Sequence, residues 1–410
     1  MKILHILSQR PDSTGSGYYI QNIIGQAEKA GHENYLLAGL PHGETTAFNR
    51  AEGTSMDFVR FGGGDLDYAI PGMSDVMPYT SSRFNDLTEA QINSYEHVFS
   101  RKIGEAAQAF QPDIIHSHHL WLATAVARSV LPGTPMVCSC HSTDLRQFIQ
   151  CRHLRDRVLF PCRLIDRILS LSGDQTRQIA DLYDISRERI DLVGAGFNAG
   201  LFTRGDKPVP PPVMMLYAGK LSFAKGVDLL LECCAGLSDL PLHLHLAGSG
   251  TGDEEARCLD LAQRLGTGVT VHGRLQQEQL ARLMSRCHLF ILPSFFEGLP
   301  LVLLEALVSG CRLIATDLPG CRELLAGADA GLAELLRLPA LERVDRPFQR
   351  DREQIRADLA EVIEKMVRRI LQEPSANQAE IDRLISAFTW DAVFARIETS
   401  YQKAMAAKIS

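Results

Sequence analysis

Nowhere in the 410 residues does an apolar run approach the ~18 to 20 positions needed to cross a bilayer as a helix. The opening MKILHILSQRPDS carries only a short apolar run, ended by polar residues and Pro11, and this is too short for the apolar core of a secretory signal. A disulfide framework is also missing: ten cysteines in a chain without an export signal read as reduced thiols in a cytoplasmic setting. Excess positive charge is absent as well. A net charge of -7 and a pI near 6.0 argue against a general nucleic-acid binder. With 45% hydrophobic and 22% charged residues, the composition is that of an ordinary soluble protein. Single cores stop growing near ~250 to 300 residues, so a chain of this length implies two domains.

The strand signals support that division. KILHILS, NYLLAG, DIIHSHH, TPMVCSC and RILSLS alternate with helical patterns, as parallel strands joined by crossover helices do. At residues 204–212 the stretch RGDKPVPPP interrupts the pattern like a linker. The alternation then resumes with VMMLYAG, LHLHLAG, VTVHG, HLFILPS and RLIATD. The expected architecture is α/β: two doubly wound, Rossmann-like parallel-sheet domains, residues 1–205 and 206–385, joined by a proline-rich hinge. A last helix, within residues 386–410, is expected to cross back onto the first domain. Residues 40–93 are rich in Gly, Ser, Thr and Pro with few clear strands, and read as an insertion or a set of substrate-side loops.

The segment FFEGLPLVLLEALVSG places Glu297 and Glu305 in an otherwise apolar run. On one helix, eight steps of ~100° would leave their side chains ~80° and ~12 Å apart, so they could not grip one atom. Proline is tolerated only in the first turn, so the helix should begin near Leu299 or Pro300. That leaves Glu297 on the loop and Glu305 buried in the second turn. The preceding strand delivers the loop to the carboxyl end of the sheet, and the helix N-terminus suits a phosphate. A buried carboxylate needs donors, which sugar hydroxyls supply; a structural Arg or Lys would serve as well.

The longer stretch ILPSFFEGLPLVLLEALVSGCRLIATDLPGCREL resembles the Glu-x7-Glu region of retaining glycosyltransferases of family four, which have the GT-B fold, in which two such domains face one another across a cleft. The resemblance implies that Glu297 contacts hydroxyls of a donor sugar and Glu305 the ribose of its nucleotide. It also implies that the backbone of Gly298, Leu299 and Leu301 borders the diphosphate. In AGKLSFAKGVDLLLE, Lys220 and Lys225 flank a loop entering a helix, where two cations could replace a metal on a leaving diphosphate. Similar family members usually carry Arg where this chain has Lys220, so the charge is kept and the bidentate fork is lost.

In the first half, GSG at Gly15 to Gly17 follows a strand and opens a helix, which lets backbone approach a phosphate or sugar. It is not GxGxxG, since position 20 is Ile. The resemblance carries Gly15 and Gly17 over as donor-side residues. SCHSTDLRQ places His141 at a strand end, where the family's histidine faces the donor sugar, with Asp144 and Arg146 on the acceptor side. His116, His118 and His119 in IIHSHHLWLA read as supporting groups rather than catalysts.

Two metal patterns compete with this reading. Cys138, Cys140, His141, Cys151, His153 and Cys162 fit no standard zinc spacing and read as buried thiols. Asp65-Leu66-Asp67 has the DxD form of metal-dependent transferases, but the alternation restarts after residue 212, whereas that class has a single nucleotide-binding domain; both aspartates read as loop residues. Six arginines between residues 146 and 167 read as a solvated helix or a face for an anionic acceptor or lipid headgroups.

The expected activity is therefore that of a retaining, hexosyltransferase-like, metal-independent enzyme that moves a sugar from a nucleotide-diphosphate donor to a glycan, lipid-linked or small-molecule acceptor. Its expected setting is bacterial cell-surface polysaccharide or glycoconjugate synthesis. It should be cytoplasmic, with peripheral contact at the inner face of the membrane left open, and should need neither cofactor nor nucleic-acid partner. Glu297, His141 and Lys225 are the candidate catalytic residues. A nucleotide-sugar epimerase and a non-catalytic nucleotide-sugar-binding protein are the alternatives.

Overall fold

The structure, a computed structural model, describes residues 1–48, 54–74 and 77–409. It divides into two units: Met1–Ala195 with Trp390–Ser410, and Gly196–Thr389. Each is built on a parallel sheet.

The sheet of the first unit has seven strands, in the spatial order Thr54–Phe61, Glu33–Pro41, Lys2–Leu7, Ile114–His118, Met136–Ser139, Arg167–Ser170, Ile190–Leu192. All of its neighbours pair in parallel. The order reverses between Lys2–Leu7 and Ile114–His118, and such a switch point opens a crevice at the carboxyl ends of the strands. The Thr54–Phe61 strand lies within residues 40–93, where the sequence reading expected few strands. It pairs with Glu33–Pro41 through eight register partners. At the edge of the sheet only Thr54, Val59 and Phe61 of this strand are buried, so TSMDFVRF lacks the apolar run of a central strand.

The second unit carries six parallel strands, in the order Val269–Gly273, Leu242–Ala247, Val213–Ala218, Leu289–Leu292, Arg312–Thr316, Ala333–Leu336. Alternate side chains feed two cores, as the period of two requires. Leu216, Phe290 and Leu313 pack with Leu303, Leu304 and Leu307 of helix Leu301–Val308. Met215, Ile291 and Ile314 pack with Leu230 of helix Val227–Gly236 and with Ile355, Leu359 and Ile363 of helix Arg352–Gln372. This sheet switches order between Val213–Ala218 and Leu289–Leu292.

Residues 204–212 are not a free linker. They lie inside the second unit, where Lys207 Nζ donates to the carbonyls of Ser309 at 3.0 Å, Ser285 at 3.4 Å and Cys287. His288 Nε2 meets the Pro208 carbonyl at 2.8 Å. The prolines interrupt the strand and helix alternation, and one lysine side chain gathering orphan carbonyls fastens the segment down. The chain instead passes between units at Ala195/Gly196 and Thr389/Trp390. There Asn198 opens a turn, its carbonyl accepting from Leu201 and Phe202 and its side chain from Gly200.

Candidate functional site

In the second unit, the loops that leave the two switch-point strands meet. Lys225 ends a short 3-10 turn, Phe223–Lys225, and Glu297 lies on the loop before helix Leu301–Val308. Their side chains form an ion pair, Nζ to Oε1 at 2.8 Å, and Lys225 also reaches the Phe296 carbonyl at 3.4 Å. The backbones are held together too, with Phe295 N–H donating to the Ala224 carbonyl at 2.9 Å. Gly226 makes the approach possible: it has φ +65°, and a Cβ there would sit 2.2 Å from the Pro293 carbonyl oxygen.

The helix begins at Leu301 with Pro300 as its cap residue, one or two positions later than the sequence suggested, because the cap φ and ψ of -79° and 84° are not helical. Glu305 follows in the second turn. Its carboxylate has no hydrogen-bond partner among the described residues, and burial alone raises its pKa from 4.5 to about 7. The structural Arg or Lys that would have made Glu305 a simple buried pair is therefore not present among them. Leu299 and Leu301 are partly buried and Gly298 is exposed beside this pair. Lys220 is exposed, with no side-chain partner among the described residues, while its carbonyl accepts from Tyr217 Oη at 2.8 Å.

Two further loops complete the carboxyl edge, and the sequence reading did not single them out. Gly248 presses against Gly219, where a Cβ would lie 1.7 Å from the Gly219 carbonyl oxygen, and Gly250 presses against Leu221 in the same way at 2.3 Å. Glu254 accepts from Phe223 N–H at 3.0 Å and Glu255 from Gly250 N–H at 2.8 Å, which fixes the lysine loop from below. The available signal was a second GSG after a strand, at Gly248 to Gly250, ahead of helix Gly252–Arg264. Gly320 is the fourth contact, with a Cβ placed 1.8 Å from the Gly298 carbonyl oxygen. Gly320→Ala is expected to push the Glu297 loop outward. The expected cost is about 1–3 kcal/mol of stability in chemical denaturation, together with weakened nucleotide-sugar binding.

The first unit gathers a histidine cluster at its own switch point. His141 follows strand Met136–Ser139, and His118 and His119 end or follow strand Ile114–His118. His141 Nε2 faces His118 Nδ1 at 3.3 Å, and the Tyr19 ring meets the His141 ring edge-on at 5.0 Å. Surrounding protein holds the His141 imidazole neutral, its pKa lowered to about 3 by burial. Asp144 is fully buried and accepts from the N–H groups of Leu120 at 2.7 Å, His141 at 3.1 Å and Leu145 at 3.1 Å. Its oxygens are committed to shaping the His141 loop, which runs through Ser142 at φ +68°. Arg146 is exposed on helix Thr143–Gln150. Gly15 opens helix Gly15–Lys29 with open space where its Cβ would be. Gly17 donates to the Thr14 cap at 3.0 Å and would clash at 2.9 Å with the Pro11 backbone.

The competing patterns have ordinary partners. Asp65 accepts from Arg60 N–H at 2.8 Å and pairs with Arg101 at 3.1 Å, so it closes a turn. All ten cysteines are buried and unbridged. Arg155 binds the Phe148 and Ile149 carbonyls, Arg157 pairs with Glu89 and Glu96, Arg163 with Asp184 and Arg167 with Asp191, so most of the arginine-rich segment is satisfied within the unit. Among the described residues no helix is long and apolar enough to cross a membrane.

Comparison with known proteins gives the same assignment in both units. Residues 13–200 match the model for Glycosyltransferase Family 4, and residues 204–334 the model for Glycosyl transferases group 1. The chain is 23% identical to glycogen synthase of Mycobacterium tuberculosis, covering 96% of this chain and 92% of that protein. In fold it resembles sucrose-phosphate synthase from Thermosynechococcus elongatus, with a TM-score of 0.72 at 18% identity over 99% of this chain and 100% of that one. It also resembles Anabaena HepE in complex with UDP and glucose, with a TM-score of 0.65 at 16% identity over 98% and 99% of the two chains. With a glycosyltransferase model matching each half and Rossmann-like parallel sheets in both units, this chain is a glycosyltransferase of the GT-B fold, similar to those of family 4.

Proposed function

We propose that the protein transfers a sugar from a nucleoside-diphosphate donor to an acceptor hydroxyl with retention at the anomeric carbon and without a metal ion. The observation that carries this reading is the Lys225–Glu297 pair at 2.8 Å, formed where the two switch-point loops of the second unit meet. A cation and a carboxylate side by side suit the two halves of a scissile sugar phosphate. Lys225, aided by Lys220 and the positive end of helix Leu301–Val308, stabilises the negative charge that grows on the leaving diphosphate. Glu297 accepts from hydroxyls of the sugar. Glu305, part-buried and without a partner among the described residues, receives the ribose hydroxyls. His141 borders the sugar, and the leaving phosphate itself helps remove the acceptor proton, since no side chain here stands out as a nucleophile. The glycogen synthase similarity supports a place in polysaccharide or glycoconjugate synthesis.

HepE is described with UDP and glucose, which makes UDP-sugars the first probes. A thermal-shift screen of nucleotide sugars should find one that stabilises the wild-type protein and has little effect on Glu297→Ala. Saturation at ~100 times Kd corresponds to about 2.7 kcal/mol. If none stabilises the wild type, the donor site is misassigned. Donor-only incubation separates the alternatives: an epimerase converts the sugar, a sensor leaves it intact, and a transferase needs acceptor. Activity lost to a chelator and restored by manganese would overturn the metal-independent reading.

A further inference from the structure

The first unit contains a chain of buried polar contacts that leads from its terminal helix to the His118–His141 pair described above. Tyr401, on the terminal helix Trp390–Ile409, places its hydroxyl 2.7 Å from His116 Nδ1, and His116 Nε2 lies 2.8 Å from Ser139 Oγ. The His116 ring stacks on His118 at 4.5 Å, and His118 Nδ1 faces His141 Nε2 at 3.3 Å. A second path leaves the same helix: Trp390 meets Tyr19 edge-on at 5.3 Å, and Tyr19 meets His141 at 5.0 Å. Tyr401 and His116 are 0% exposed and His118 is 1% exposed.

We infer that the C-terminal helix and His118 position His141, and that His118 fixes the His141 tautomer with its proton on Nδ1. The argument is one of donors and acceptors. His118 is the one hydrogen-bond partner of the His141 ring among the described residues. Burial keeps both imidazoles neutral, so one of the two facing nitrogens must carry the hydrogen. The other His118 nitrogen, Nε2, is buried with no partner among the described residues. A buried N–H left unmet is rarer than an acceptor left unmet, so His118 keeps its hydrogen on Nδ1 and donates to His141 Nε2. His141 then carries its own hydrogen on Nδ1, a nitrogen with no partner among the described residues, and offers a ligand a donor. His5, His116 and His118 also bring ligand-capable nitrogens within 4.8 Å of one another, but both His116 nitrogens are already hydrogen-bonded. Orientation of His141 therefore accounts for the cluster better than a metal does.

The inference rests on the reading that His141 meets the donor sugar, and its test keeps the two apart. In full-length protein labelled with 15N at histidine, two-bond proton–nitrogen spectra report each tautomer directly. Wild type should show His141 as a single Nδ1–H form, and His118→Phe should give a mixture of both forms. Tyr401→Phe, which removes only a hydroxyl, should move the same signals in the same direction by less, and it answers the question even where His118→Phe fails to fold. An Nε2–H form in wild type, or His141 signals unchanged in both variants, overturns the inference. Turnover of the donor found in the thermal-shift screen, or of UDP-glucose, tests the underlying reading separately. His141→Ala at wild-type turnover would sink that reading while leaving the tautomer result in place. If His141→Ala loses turnover, His118→Phe should lower kcat with little change in donor KM, and His118→Phe combined with His141→Ala should be no slower than His141→Ala. Additive losses would mean that His118 acts on its own.

Discussion

Glu305→Gln is expected to stabilise the ligand-free protein at pH 8 while weakening its grip on a nucleotide sugar. Burial raises the Glu305 carboxyl from 4.5 to about 7, so between those pH values the unfolded chain has released a proton that the folded chain still holds. Stability linked to this group is complete below pH about 4.5 and is lost as pH rises through about 7. At 1.36 kcal/mol per pH unit, that loss comes to about 3 kcal/mol. Glutamine removes the charge but not the shape, so urea melts should show the variant ahead of wild type by about 2–3 kcal/mol at pH 8, with the gap closing toward pH 5. An equal gap at both pH values would mean the effect has nothing to do with ionisation. Binding should move the opposite way. Ribose hydroxyls donate best to the ionised carboxylate, so wild-type affinity should rise from pH 6 to pH 8 while that of Glu305→Gln stays flat in calorimetry. Such a carboxylate costs the empty protein stability and is useful only when a ligand supplies donors, which is the usual relation between a binding site and its fold.

Lys225→Ala should lower kcat by about 10²–10³-fold, the range seen when one charge-stabilising donor is removed from a transition state, with a smaller change in donor KM. Lys225→Arg should recover part of that loss, because the charge stays and the geometry changes. The partner of Lys225 gives a sharper test. If Glu297 holds the sugar, Glu297→Gln should bind the free nucleoside diphosphate as wild type does and bind the nucleotide sugar more weakly. If Glu297 is only the counterion of Lys225, the two ligands should be affected alike. Calorimetry with UDP and with UDP-glucose, or with the donor found in the thermal-shift screen, separates the two outcomes. The 2.8 Å ion pair must also loosen as diphosphate arrives to compete for Lys225, so part of the intrinsic affinity is consumed in breaking it.

The sequence alone made most strands of the two sheets legible, because strands covered on both faces are nearly continuous apolar runs; Ile190–Leu192 and Ala333–Leu336, short and at the sheet edges, offered no such run. It also placed Glu297 on a loop and Glu305 in a helix, since Pro300 permits only one arrangement of that segment. Thr54–Phe61 escaped because an edge strand lacks the apolar run, and residues 204–212 were misread because proline signals the end of an element and not where the chain goes next. Tertiary structure alone decided which charges meet. Lys225 and Glu297 are 72 positions apart and become partners only because strands Val213–Ala218 and Leu289–Leu292 are neighbours at the switch point. It likewise separated Asp144, whose oxygens are taken by backbone N–H groups, from Glu305, whose oxygens have no partner among the described residues. Both are acidic residues in apolar surroundings, and residue type and spacing cannot tell them apart. The supply of donors around a buried carboxylate is set by the fold, and that supply separates a structural acid from one waiting for a ligand.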